Sequence, residues 1–187
     1  MSLSTRLAHR PAHRLAQRLA ERLVQPASAH CDTADGPVVT AGRRALAEGN
    51  VNIALKWVQK DADATVRAAF EAATAAGTDD AELAFLTGLV RLHRAGEGHE
   101  FDGIKPAGTP QPPVVTAGDV AYATGDVSGL LPLVEPAERG TVEERFARAI
   151  ALRDHDVDDV VGARGAVAAY VEMIHHAVHH RLGRTPA

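Results

Sequence analysis

Pro37-Val38-Val39-Thr40-Ala41-Gly42 returns, letter for letter, as Pro113-Val114-Val115-Thr116-Ala117-Gly118. At the same offset Gly49-Asn50-Val51 is answered by Gly125-Asp126-Val127, Leu55 by Leu131 and Val58 by Val134. Thr65-Val66 and Phe70 then meet Thr141-Val142 and Phe146. Self-similarity sustained at one offset is the signature of a duplicated structural unit. The expected architecture is two tandem repeats, at about 35–94 and about 111–182.

Breaker and capping residues divide each copy into helices. In the first copy, Asp35 and Pro37 predict a helix start and Gly49 its end. Asn50 opens a short helix reaching Trp57. Asp61 or Asp63 opens a third helix, closed by Gly77, and Thr78-Asp79-Asp80 opens a fourth that runs to about Arg94 before Gly96. The second copy repeats this order, its last helix starting near Asp158 or Asp159. Between the copies, His99 to Pro112 holds Gly103, Pro106, Gly108 and Pro110, the composition of an irregular crossover. No segment of useful length alternates apolar and polar residues, so the fold class is all-α, a helical bundle. Aligning the fourth helices by apolar pattern puts Phe85 on Val167, Leu89 on Val171, Leu92 on Ile174 and His93 on His175. Two copies packed about a pseudo-twofold axis would bring those two histidines together.

A length of 187 residues suits one domain with a sizeable core. Aromatics make up only 4% of the chain, which predicts helices packed through small side chains. Residues 1–29 carry five arginines against one glutamate, so the rest is more acidic than the net charge of −4 suggests. An acidic body argues against nucleic-acid binding. No apolar run approaches the roughly eighteen residues of a membrane span, which predicts a soluble protein. Leu15, Leu19 and Leu23, beside Arg14, Arg18 and Arg22, predict a basic amphipathic helix that stops at Pro26. Residues 1–25 would dock on the body or on a protein partner, or form a disordered appendage. Ala27-Ser28-Ala29 has the form of a cleavage site but lacks the apolar stretch of a secretion signal. A cytoplasmic location is the main expectation, and export with cleavage after Ala29 the alternative. The expected division is thus an extension (1–29), a duplicated body (30–182) and a tail (183–187).

The chemistry-bearing residues cluster around the chain's single cysteine, in His30-Cys31-Asp32. A thiolate beside imidazole and carboxylate suits Ni, Cu, Fe or Zn and suits Mg or Ca poorly. His93 sits near the centre of an apolar stripe formed by Phe85, Leu86, Leu89 and Val90, where an imidazole needs a partner. His175 borders the stripe Val167, Val171, Ile174, Val178. The expected ligands are His30, Cys31, His93 and His175. Asp32 and His176 would orient the imidazoles, and Glu97 and Glu172 would support them or move protons. Trp57 is expected to line the cofactor pocket or belong to the core. The competing readings make Cys31 a small buried hydrophobe, a nucleophile with His93 as base, or give His93 and His175 a haem. Glu172-x-x-His175 has the spacing of carboxylate-bridged di-iron bundles, but the first copy has Val90 at the corresponding position. His179 and His180, near a helix C-terminus, are accounted for by the helix dipole.

Three blocks at these positions, HCDTADGPVVTAGRRALAEGNVNIALKWVQ, LVRLHRAGEG and YVEMIHH, resemble those of a bacterial family of unknown function, DUF6448. The resemblance spans His30 to His176. It implies a helical domain and singles out His30, Cys31, Asp32, Trp57, His93, Glu97 and His175, without bringing an activity. HCDTADG is also similar to the metal-binding hook of nickel superoxide dismutases, HCDLPCG, which implies nickel held by an exposed His amine, a backbone amide and two thiolates. His30, Cys31, Asp32 and Gly36 match that hook, and Asp35 replaces its second cysteine. The functional expectation is a transition-metal protein with a Cys/His site between the copies, serving small-molecule redox or lyase chemistry. The alternative is a metal-free scaffold that binds a partner protein through its N-terminal helix.

Overall fold

The structure, a computed structural model, describes residues 30–183. The expected amphipathic helix, its partner-binding and cleavage readings, and residues 184–187 lie outside the described residues. The order is α1 (Pro37–Glu48), α2 (Asn52–Leu55), α3 (Asp63–Ala76), α4 (Asp79–Gly96), α5 (Pro113–Thr124), α6 (Arg139–Arg153) and α7 (Val160–His179). Short 3₁₀ turns at Lys60–Ala62, Leu131–Leu133 and Pro136–Glu138 complete it. Strand pairing among the described residues is limited to isolated bridges, Thr33 with Lys105 and Val134 with Arg181. The class is all-α.

Local chemistry accounts for several helix ends. α1 and α5 each begin on a proline, whose fixed φ and missing N–H suit the first turn. They close on Gly49 and Gly125, at φ 65° and 79° in the left-handed region. Thr78 Oγ1 accepts the Ala81 N–H at the start of α4, and Asp159 Oδ1 accepts the Gly162 N–H at the start of α7. Asp35 does not cap α1. Gly36 takes that place, while the Asp35 carboxylate accepts the Gly108 N–H at 2.8 Å. The crossover is further tied to the cysteine segment by Ala34 N–H to Lys105 C=O and Lys105 N–H to Asp32 C=O. α4 runs through Gly96, beyond the expected stop, and thereby sets Glu97 one turn after His93.

The bundle encloses two apolar cores. The first gathers Val38, Val39, Leu55, Val66, Phe85 and Leu89; the second gathers Val115, Leu130, Val142, Met173 and Ile174. Each fully buried large side chain contributes roughly 1.5–3 kcal/mol. α4 packs on α3 and α1, and α7 packs on α6 and α5. The two cores meet at Trp57, which packs against both. Arg164 of α7 crosses the same boundary: it donates to the Val58 and Leu55 carbonyls and pairs with Asp63.

The buried face of α7 differs from the expected stripe. Ala163, Ala166, Ala169, Tyr170, Met173, Ile174, Ala177 and Val178 are buried, whereas Val167 and Val171 lie only at the margin. Small alanines allow α7 to sit close to its neighbours, so the helix turns its alanines inward. The rotation carries His175 to the rim.

Candidate metal centre

Cys31, His93 and Glu97 each place a potential ligand atom within 4.8 Å of the others. Two parts of the chain deliver them, the cysteine segment and α4. The crossover holds the cysteine segment against the body through the Lys105 bonds. The apolar face of α4 buries His93, and the continuation of that helix through Gly96 brings Glu97 to the same side. Cys31 is 6% exposed, His93 is 4% exposed, and the Glu97 side chain is 12% exposed.

The His93 ring is fixed by a 2.7 Å hydrogen bond between Nδ1 and the Trp57 carbonyl. A carbonyl can only accept, so Nδ1 carries the proton and neutral His93 presents the lone pair of Nε2. Nε2 lies 3.5 Å from Glu97 Oε1, and both atoms are buried without a hydrogen-bond partner. The Trp57 indole stands edge-on to the imidazole, with ring centroids 5.8 Å apart. Burial holds the His93 pKa below its ordinary value and so favours the neutral ring. Burial, reinforced by the Glu97 and Asp32 carboxylates, pushes the Cys31 thiol well above the usual thiol range.

Arg94 organises the back of the cluster. Its Nε lies 3.4 Å from Asp32 Oδ2, its Nη1 lies 3.5 Å from Glu97 Oε2, and Nη2 donates to the Glu100 carbonyl. Burial raises the Asp32 carboxyl to about 6 against the pull of Arg94. Glu97 therefore faces Arg94 with one oxygen and His93 with the other. A cavity of about 450 Å³ opens beside His93 and Glu97, bounded by Trp57, Gln59, Arg164 and Val171. A second cavity of about 460 Å³ lies across Trp57.

The structure brings together part of the expected ligand set. Cys31 and His93 meet, and Glu97, expected to support the imidazoles, stands among the potential ligands. His30 is absent from this group. It lines the second cavity, where its Nε2 lies 2.7 Å from Asp119 Oδ2 and Tyr170 donates to Asp119 Oδ1 at 2.6 Å. His175 is not a member either: rotation of α7 leaves it 38% exposed, with Nε2 4.0 Å from Glu97 Oε1. Glu172 pairs at the surface with Arg145 and Arg148, and His176 turns to Glu138. Asp32 contacts Arg94 rather than an imidazole. Asp35, at the position of the second cysteine in the nickel-dismutase hook, is bound to Gly108 and takes no place in the cluster.

Asp119, Tyr170 and Arg94 were not apparent as site residues in the sequence. The family model described as "Family of unknown function (DUF6448)" matches residues 35–176. No curated protein and no solved structure matches the chain.

Proposed function

Since the chain belongs to DUF6448, a family of unknown function, we propose from the chemistry of its own residues that it binds a transition metal at Cys31, His93 and Glu97. One observation carries this reading: His93 Nε2 and Glu97 Oε1 are buried, face each other at 3.5 Å and lack hydrogen-bond partners beside a buried thiol. Buried polar atoms left unpaired are costly, and a cation would satisfy both. The charges also suit a divalent ion. Thiolate and Glu97 carboxylate would offset it, while Asp32 and Arg94 offset each other. Sulfur, nitrogen and oxygen donors favour Zn, Ni, Cu or Fe over Mg or Ca.

Three protein ligands leave a coordination position open, the arrangement of a catalytic rather than a closed structural site. A bound ion would supply Lewis-acid or one-electron chemistry to a small molecule in the adjoining cavity. The Trp57 carbonyl fixes the His93 tautomer, and Arg94 orients Glu97 through Oε2. His175, at the rim, serves as the proton-handling group between the site and solvent. Redox or lyase chemistry on a small substrate is the reaction class we assign.

We further infer that the two halves descend from a duplicated unit. In support, α1 and α5 share their length, their opening proline and their closing glycine. Gly42 abuts Leu86 of α4 and Gly118 abuts Ile174 of α7, which pairs Ile174 with Leu86 rather than with Leu92 of the expected alignment.

Metal analysis of untagged protein purified without oxygen tests the site. The expected result is bound Zn, Ni, Cu or Fe that is lost in both Cys31→Ser and His93→Ala. Protein that stays metal-free and gains no stability from any of these ions would overturn the reading. Binding must displace the Cys31 proton, so affinity should weaken as pH falls, with proton release measurable by calorimetry in buffers of different ionisation enthalpy.

A further inference from the structure

The C-terminal end of α7 holds a second set of donors, with no sulfur. His176 and His180 are one helical turn apart, and their ring centroids lie 4.5 Å from each other. Glu138, at the end of the turn before α6, reaches both. Its Oε2 lies 3.1 Å from His176 Nε2, and its Oε1 lies 4.0 Å from His180 Nδ1. One ligand atom from each of the three falls within 4.8 Å of the other two. All three residues are half-buried.

Helix-dipole attraction, sufficient for an outer histidine, does not explain this convergence. It requires no carboxylate from a distant segment and no side-by-side imidazoles. The two segments are also fastened together before any ligand arrives. The Glu135 N–H donates to the His180 carbonyl at 2.9 Å, and the Leu182 N–H donates to the Leu133 carbonyl at 2.9 Å. The α7 backbone bond from His180 N–H to His176 C=O, 3.0 Å, keeps both rings on one helical face. The donors therefore sit on a pre-positioned frame, which lowers the ordering cost of binding.

We propose that Glu138, His176 and His180 form a second site for a divalent first-row transition ion, which staples the end of α7 to the 133–138 turn. Two imidazoles and one carboxylate suit Zn²⁺, Co²⁺, Ni²⁺ or Cu²⁺ and leave positions for water. This site shares no residue with the Cys31 cluster.

Co²⁺ titration of the full untagged chain distinguishes the two sites. Two equivalents are expected, of which one shows thiolate-to-metal charge transfer. His180→Gln should abolish the equivalent without the sulfur band and leave the other in place. In the Cys31→Ser/His93→Ala double variant, Zn²⁺ should still bind one equivalent and raise the Tm, and adding His180→Gln should remove both effects. In wild type, a sulfur-free equivalent with no sulfur band would sink the Cys31 reading and support this one. A sulfur-free equivalent that survives His180→Gln, or none in wild type, would overturn the second site. Circular dichroism of His180→Gln, whose backbone bonds are untouched, confirms that loss of binding is not loss of fold.

Discussion

His93 shows how one side chain can be set by its surroundings on every side. The apolar face of α4 buries it, the Trp57 carbonyl fixes one nitrogen, and the other nitrogen is left toward Cys31 and Glu97. Burial lowers its pKa, so the fold refuses a proton that the unfolded chain accepts below about 6.5. Its contribution to stability is therefore lost as pH falls from that value. Asp32 works in the opposite sense. Its carboxyl, about 6 when folded against 3.8 as the ordinary value, holds its proton more tightly in the fold. That contribution is complete below 3.8 and disappears as pH rises through about 6. Urea unfolding of chelator-treated protein between pH 4 and pH 8 should separate them: His93→Gln removes the loss on the acid side of 6.5 and leaves the Asp32 slope. The same outcome in wild type and variant would mean that the imidazole is not buried as described. His93 was legible in the sequence because a histidine amid Phe85, Leu86, Leu89 and Val90 is conspicuous. The true partner of His30 was not, since Asp119 is separated from it by most of the body and joined by a single contact.

Helix α7 shows where pattern reading succeeds and where it fails. Its start was visible in Asp159, and those of α4 and α5 in Thr78 and Pro113, because caps are local chemistry. Its rotation was not, because alanines counted as weakly apolar against Val167 and Val171, although Ala166, Ala169 and Ala177 are the ones that are buried. The glycines of the repeated hexapeptide follow the same logic of close approach. A Cβ on Gly42 would fall 2.5 Å from Leu86 Cδ2 and 3.0 Å from Leu89 Cδ2, and one on Gly118 would strike Ile174 Cδ1. Gly118→Ala gains about 1 kcal/mol of helix propensity but overpacks the core at a cost of about 1–3 kcal/mol. Net destabilisation of about 1 kcal/mol is expected, by chemical denaturation. Ile174→Val deletes the offending Cδ1, so the double variant should recover most of the loss attributable to Gly118→Ala. Additive losses would place Gly118 against something else.

At the scale of the whole molecule, the cores are joined by few polar ties. Arg164 donates to the Val58 and Leu55 carbonyls and pairs with Asp63; Asn50 and Asn52 both donate to Asp158 Oδ1. Arg164→Met would leave the Val58 carbonyl and Asp63 without that donor and should cost roughly 1–3 kcal/mol. Hydrogen exchange should then quicken on both sides of the boundary, in α2 and in the first turns of α7, while the centres of α1 and α6 change little. Quickening confined to one side of the boundary would mean that Arg164 serves one core only. The all-helical plan was readable, since capping and breaker residues mark successive helices and no segment of useful length alternates apolar and polar residues. The junction was not readable, because carbonyls and lone arginines carry no periodic signal.

Trp57 is the chain's single tryptophan, and it touches His93 and both cores at once. If His93 holds the proposed ion, an indole that close to its ring makes the protein its own optical gauge. Open-shell ions such as Cu²⁺ or Ni²⁺ held there should quench its emission, closed-shell Zn²⁺ should leave it bright, and occupancy could be followed in real time without an added dye.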